Sequence, residues 1–455
     1  MTHGRPDALP RRPHVTGELD YGDLQGNLVR GYPHGYGCYV FVRVADAARG
    51  RAWLKGLQVT SAELWDSPPA DTLNLAFTYG GLAALGLSPQ LLATFPEDFR
   101  EGMAARAELL GDHGENAPAN WEPGLGTGDA HVLVTLYGLT PADLERARAR
   151  LEEGLGDAVT VVHEQHSLPS ETDHFGFKDG ISQPAIAGDG NEARPGDGLP
   201  NEGGGWRELA AGEFVLGCRD QDAGLPVAPA PPFDKNATFV VYRKLRMHPE
   251  RLRTYLAGID GHDPRMLAAK MVGRWQDGTP LVTSPHGPDP VLAADPARVN
   301  DFRYTTDMAG FACPIGAHVR RTNPRDHEGF FAGKLVDRHR IIRRGRAYGP
   351  PLPDGALEDD GHERGLVFKC YQADIERQFE VIQSRWIADG DPFALGNDRD
   401  PTVGYHDGGG RMVIQSRRPR PPIVLARLPT FTTVRGGEYL VRPGLRALAW
   451  LGSPL

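Results

Sequence analysis

The sequence predicts an α+β protein made of two ferredoxin-like halves, each an antiparallel sheet with peripheral helices. Three observations carry this. Strand-like and helix-like patterns follow one another in the order β-α-β-β-α-β between residues 36 and 162, the order of a split βαβ unit. A looser copy of that pattern recurs after residue 237, with large insertions at 276–300 and 389–410. The chain of 455 residues, 40% hydrophobic and 24% charged, is long enough for two domains with a proper core.

The elements follow in order. Residues 1–35 are polar and proline-rich, an arm expected to pack across a domain. Residues Cys38 to Val44 read as a strand, and Asp46 can cap a short helix carrying Trp53, Leu54 and Leu57. Leu73 to Tyr79 reads as a second strand, followed by a small helix near Leu82–Leu85, and His131 to Tyr137 as a third. Thr140-Pro-Ala-Asp143 opens a helix with an N-cap, a proline at the first position and an acid at the third. Its apolar residues Leu144, Ala147, Leu151 and Leu155 keep a helical period, and Val159 to Val162 is the last strand of the half. This sets an N-terminal domain at 36–184.

Residues 185–236 contain GDGNEARPGDGLPNEGGG and then a run of prolines and alanines, which predicts a crossover linker. The chain as a whole has 57 glycines and 39 prolines, above average usage, so long irregular connections are expected. The C-terminal domain occupies 237–455. Ala237 to Leu245 is a strand, and a helix from near Pro249 carries Leu252 and Leu256. His339 to Arg343, Leu366 to Tyr371 and Arg411 to Gln415 read as further strands. Ile375, Phe379, Ile382 and Trp386 fall at i, i+4, i+7 and i+11, a buried helical stripe. LRALAWLGSPL reads as a final packed segment.

Charge and cysteine usage narrow the function. A net charge of -9 provides no global cationic footprint for nucleic acid or an anionic membrane. No stretch approaches the roughly 20 apolar residues that cross a bilayer. Arg11-Arg12 is followed by no apolar segment, so no signal peptide is evident and cytoplasm is the expected location. Cys38, Cys218, Cys313 and Cys370 form no CxxC, which disfavours a zinc ribbon, a thioredoxin-like motif and covalent haem attachment.

Three segments carry chemistry. In Phe175-Gly-Phe-Lys-Asp179-Gly180-Ile181-Ser-Gln-Pro184, glycines flank an aspartate held at a turn, although an Asp-Gly pair alone is more often a plain turn. Cys313-Pro-Ile-Gly-Ala-His318-Val-Arg-Arg-Thr-Asn323-Pro-Arg325 places one histidine close to three arginines that could meet the carboxylates of a cofactor, and Asn323-Pro324 ends its helix or turn. His339-Arg-Ile-Ile-Arg343-Arg344-Gly345 runs into a glycine-rich turn, and its arginines matter only if they face a cavity shared with Asp179.

In order and spacing these segments resemble the signatures of the dye-decolorizing peroxidase family. FGFKDGISQP resembles that family's GxxDG motif, CPIGAHVRRTNPR its proximal-histidine motif and IIRRGRAYG its distal-arginine segment. Supporting similarity lies in DLQGNLVRGYP (23–33), LNLAFTYGGLAALGL (73–87), LAAKMVGRW (267–275), GLVFKCYQADIERQFEVIQ (365–383) and DPTVG (400–404), so the resemblance spans about residues 20–445.

The resemblance implies one non-covalent haem b per chain, wedged beside the C-terminal half. His318 would be its proximal iron ligand, with Asp179 and Arg343 as the catalytic pair on the distal side. Arg325 would pair with a haem propionate, while Ile181, Leu366 and Phe368 would wall the pocket. Asp400 is the candidate carboxylate behind the histidine, with Asp391 and Asp398 as alternatives. The implied activity is reduction of hydrogen peroxide through a ferryl intermediate, with dyes, phenols or other one-electron donors as substrates. The alternative is a haem-binding protein for storage or iron release with incidental peroxidase activity. The resemblance sets neither the natural donor nor the oligomeric state.

Overall fold

Side chains alternate across a β-sheet, so Cys38, Val40 and Val42 point to one face of the first strand and Tyr39 and Phe41 to the other. All five are buried, which leaves this strand without a solvent face. The computed structural model, which describes residues 19–191, 193–201, 203–327 and 336–454, shows both faces covered.

The first half contributes β1 (Tyr36–Val44), β2 (Asp71–Phe77), β3 (Val132–Gly138) and β4 (Val159–Ser167). They lie antiparallel in the order β4-β1-β3-β2. A two-residue ribbon, β5 (Leu199–Pro200) with β6 (Trp206–Arg207), interrupts the connection to the second half. There β7 (Thr238–Met247), β8 (Ile342–Arg343), β9 (Arg346–Tyr348) and β10 (Gly365–Gln372) are followed by a hairpin of β11 (Asp407–Ile414) and β12 (Ile423–Pro429). The last strand is β13 (Thr432–Arg442). The order β13-β7-β10-β8, with β9 also on β10, repeats the fourth-first-third-second arrangement of the first half. The halves join at the pair Phe77 and Val441, giving a continuous nine-stranded sheet.

So narrow a seam is clamped from outside. Gln25 donates to the carbonyls of Leu75 and Pro443 and accepts from the Leu75 N–H, bonding both sides of the junction from one buried side chain. Leu19, Leu24, Leu28 and Val29 beside it are buried against the Tyr39 face. The earlier part of the predicted arm, before Leu19, lies outside the described residues. Residues 185–236 cover the same face with Ile186, Leu209, Phe214 and Val215, so this crossover is a packed layer as well as a connection.

The opposite face shows why the site lies where it does. In the first half it is closed by the helices Ala47–Gly56 and Pro141–Glu153, which bury Trp53, Leu54, Leu144 and Leu151 against Cys38, Val40 and Val42. Asp46 caps the first helix, and Thr140 with Asp143 forms a reciprocal capping box on the second. In the second half Phe239 and Val241 of β7 continue that core. The next residues on the same face, Arg243, Leu245 and Met247, border open space with Leu366 and Phe368 of β10. The helix His318–Thr322 and the segment Ile375–Ile387 stand across it.

Local structure departs from the sequence reading in several places. The last strand of the first half, read as Val159 to Val162, runs on to Ser167, and β12 and β13 lie where no strand was expected. The second strand ends at Phe77, because Thr78 turns to cap the helix Tyr79–Ala84 through the Gly81 N–H. Of the segment His339 to Arg343 only Ile342–Arg343 is strand. Before it, the Arg340 guanidinium bonds the carbonyls of Asp197 and Gly198 and the His339 ring bonds that of Arg377, so side-chain anchors replace the ladder. Ile375, Phe379, Ile382 and Trp386 are all buried as the periodicity predicts, but the backbone is wound mainly as π-helix.

Gly365 tests how far β7 and β10 set the cavity wall. A Cβ there would come within 1.8 Å of the Leu245 carbonyl oxygen, so Gly365→Ala must separate the strands that carry Leu245 and Leu366. Overpacking of this kind costs about 1–3 kcal/mol. The variant should show a lower thermal midpoint, while Gly31→Ala, in open space, should not.

Candidate active site

Asn323 and Pro324 stop the helix His318–Thr322 after little more than one turn. His318 at its start has its Nδ1 atom 2.8 Å from Oδ2 of Asp400. Asp400 is fully buried, and its second oxygen accepts from Thr402 N, Thr402 Oγ1 and Val403 N at 2.9–3.0 Å. Burial alone would push this carboxyl up. The His318 ring, Arg321 and the Val403 N–H outweigh it and hold the carboxyl well below the usual range. An ionised Asp400 accepts the Nδ1–H and leaves the opposite nitrogen of His318, on a half-buried ring, toward a cavity of about 560 Å³. Of the three aspartates weighed from the sequence, Asp400 makes this contact; Asp398 instead accepts from Arg411.

Asp179 and Arg343 line the same cavity and both are exposed. Asp179 sits in a tight turn: Gly180 takes a positive φ of 75° and its N–H donates to Asp179 Oδ1 at 2.7 Å. Two residues on, the Ser182 carbonyl accepts from the Arg343 guanidinium and the Gln183 amide oxygen accepts from the Arg343 N–H, each at 3.0 Å. The turn is therefore hooked onto β8, bringing Asp179 and Arg343 to one wall. Ile181 and Leu366 line both this cavity and an adjoining, more polar space of about 870 Å³; Phe368 lines the inner one alone.

The arginines divide by role. Arg320 and Arg321, next in sequence to His318, are buried and committed to structure. Arg320 bonds the Cys313 and Asp307 carbonyls, and Arg321 those of Trp386, Asp389 and Asp398. Arg325 lines the cavity; its terminal nitrogens bond Asn300 and the Phe302 carbonyl, and its buried Nε has no hydrogen-bond partner among the described residues. Arg274, Arg340 and Arg343 share that lining. Burial and the neighbouring Arg325 charge bring the guanidinium groups of Arg274 and Arg340 down to about 10. Such crowding of like charge in low dielectric calls for an anion.

Residues 23–167 match the family model described as the DyP dimeric alpha+beta barrel domain. A dye-decolorizing peroxidase of Mycena epipterygia is 30% identical, over 98% of this chain and 91% of its own length. The chain belongs to the dye-decolorizing peroxidase family. An ancestral D-type dye-decolorizing peroxidase has the same fold with a TM-score of 0.82, at 29% identity over 96% of this chain and 100% of its own. A dye-decolorizing peroxidase solved as a complex with 2,6-dimethoxyphenol has an equal TM-score at 26% identity, over 96% of this chain and 100% of its own.

Peroxidases of this family are haem enzymes, and the residues present fit that group. The cavity lies in the roughly 300–1,000 Å³ range of cofactor sites. It offers a free imidazole nitrogen, apolar walls from Leu366, Phe368, Ile382 and Val403, and a guanidinium cluster suited to two propionates. Sequence reading assigned no role to Arg274, Arg340 or Asn300, although both arginines stand inside the quoted segments LAAKMVGRW and HRIIRRG. It also passed over Asp173, which lines both spaces beside Asp179.

Burial raises the Asp173 carboxyl to about 6, against the Phe177 N–H, and the Asp179 charge adds to the rise. A folded-state value above the ordinary one means that this group's contribution to stability is fully present below about pH 4 and is lost as the pH climbs through 6. Asp173→Asn removes that loss. Relative to wild type, its thermal midpoint should improve between about pH 4 and pH 7, by the equivalent of about 1–2 kcal/mol after solvent screening. A constant difference across that range would show that Asp173 does not titrate there.

Proposed function

We propose that this chain is a haem b peroxidase that reduces hydrogen peroxide at the expense of dyes, phenols or other one-electron aromatic donors. The observation that carries the reading is the meeting, around one cavity, of His318 backed by a buried carboxylate with an aspartate and an arginine hooked together. The family's relatives, one of them bound to 2,6-dimethoxyphenol, support the donor class. Four free, buried cysteines support a reducing compartment, the cytoplasm.

His318 would hold the iron through the nitrogen that Asp400 leaves free, and Arg325 with Arg274 and Arg340 would hold the propionates. Haem, when bound, supplies the iron at which peroxide is cleaved and the oxidising equivalents returned to the donor. Asp179 takes a proton from one peroxide oxygen and returns it to the other. The Gly180 N–H occupies Oδ1 and leaves Oδ2 for that transfer. The Arg343 guanidinium stabilises the negative charge that develops on the departing oxygen. Leu366, Phe368 and Ile181 give the cavity apolar walls beside these two groups. The adjoining polar space leads to Asp179 and Arg343 and provides a path for peroxide.

His318→Ala should lose most bound haem, read from the absorbance spectrum after reconstitution; unchanged occupancy with an unchanged axial-ligand spectrum would remove His318 from the role. Asp179→Asn should bind haem normally and cleave peroxide about 10²–10⁴-fold more slowly. Arg343→Leu should slow the reaction about 10²–10³-fold. Stopped-flow mixing with peroxide measures both. Either residue loses its role if its variant cleaves peroxide as fast as wild type.

A further inference from the structure

Far along the sheet, at its outer edge, antiparallel pairing sets three metal-ligating side chains on one face. Cys38 on β1 lies directly opposite His166 on β4, and Glu164 opposite Val40. Glu164 and His166 are two residues apart and so project to the same side as Cys38. Cys38 Sγ lies 3.9 Å from His166 Nε2, and that nitrogen lies 2.8 Å from Glu164 Oε1. All three ligand atoms fall within 4.8 Å of one another, and no other such trio occurs among the described residues.

We propose that Cys38, Glu164 and His166 form a binding site for a divalent cation of the zinc class, with water in the fourth position. Bond lengths of about 2.3 Å to sulfur and 2.0–2.2 Å to nitrogen and oxygen, set at tetrahedral angles, separate sulfur from nitrogen by about 3.5 Å and nitrogen from oxygen by about 3.3 Å. The present separations are each within about half an ångström of those values. Thiolate, imidazole and carboxylate together select a borderline-soft ion over magnesium or calcium.

The surroundings suit an ion entering from solvent. Cys38 is buried in the sheet's helix-covered core, whereas the His166 side chain is 59% exposed on an edge strand, so the site has a closed floor and an open mouth. Arg148 donates to the other carboxylate oxygen of Glu164 at 2.9 Å and lies 3.7 Å from Glu152. That leaves Oε1 to turn from His166 to the ion. Binding forms bonds from the ion to Sγ, Nε2 and Oε1; the thiol proton passes to solvent and no electron is transferred. A Cys-His-Glu catalytic relay is the competing reading of this trio, and the geometry speaks against it. Sulfur and carboxylate both approach the same ring nitrogen, so imidazole cannot pass a proton between them.

The test uses the haem-loaded enzyme, stripped of adventitious metal by chelator dialysis and titrated with Zn²⁺ calorimetrically. X-ray absorption at the zinc edge follows. One zinc per chain is expected, with a single sulfur at about 2.3 Å. His166→Ala, at an exposed position that does not threaten folding, and Cys38→Ser should each weaken uptake by about tenfold or more, and Cys38→Ser should also remove the sulfur signal. The proposal is overturned by no uptake at micromolar free zinc, by uptake equal in wild type and His166→Ala, or by a sulfur signal that survives Cys38→Ser.

Discussion

The hydrogen bond between His318 Nδ1 and Asp400 organises more of this molecule than any other single contact. A buried carboxylate is tolerable only when paired and bonded, and Asp400 meets that requirement with His318, Thr402 and Val403. Its backbone N–H in turn donates to the Ile387 carbonyl, and Arg321 bonds three carbonyls of the same stretch. The short helix bearing His318 and the chain from Trp386 to Val403 therefore move as one body. The ring cannot rotate without leaving a charge unpaired, and its second nitrogen is held toward the cavity.

The doubled sheet explains where that cavity can exist. Both halves use the same strand order, and both present an apolar face on the same side. In the first half two capped helices close this face. In the second, the face opens beyond Phe239 and Val241, leaving Leu245, Leu366 and Phe368 to border a space. Apolar surface left uncovered inside a fold is a binding opportunity. The distal residues reach it from different elements: Asp179 follows β4 in the first half and Arg343 lies on β8 in the second. Ser182 and Gln183 tie the two together.

Electrostatics sets the cavity's second character. Arg274, Arg325, Arg340 and Arg343 are brought together although each is unfavourable to its neighbours. Backbone carbonyls and Asn300 satisfy much of their hydrogen bonding without neutralising their charge. This positive wall complements a dianionic cofactor. Arg320 and Arg321 lie closer to His318 in sequence and contribute nothing to it, since their side chains are spent on buried carbonyls.

Much of this was legible in the sequence because it rests on local rules. The strand at CYVFV, the Thr140–Asp143 box and the burial of the stripe from Ile375 to Trp386 follow from local rules, and each is present. His318, Asp179 and Arg343 were singled out by the resemblance of their segments to the family's motifs, since an Asp-Gly pair alone is more often a plain turn. Tertiary structure alone decided which of Asp391, Asp398 and Asp400 meets His318, which arginines face the cavity, and that Cys38 lies opposite His166. These pairings join residues 82 to 160 positions apart, or more than 120 in the case of Cys38. No local spacing encodes such a contact. Strand register and the need to satisfy buried polar groups select it only when the whole chain is packed.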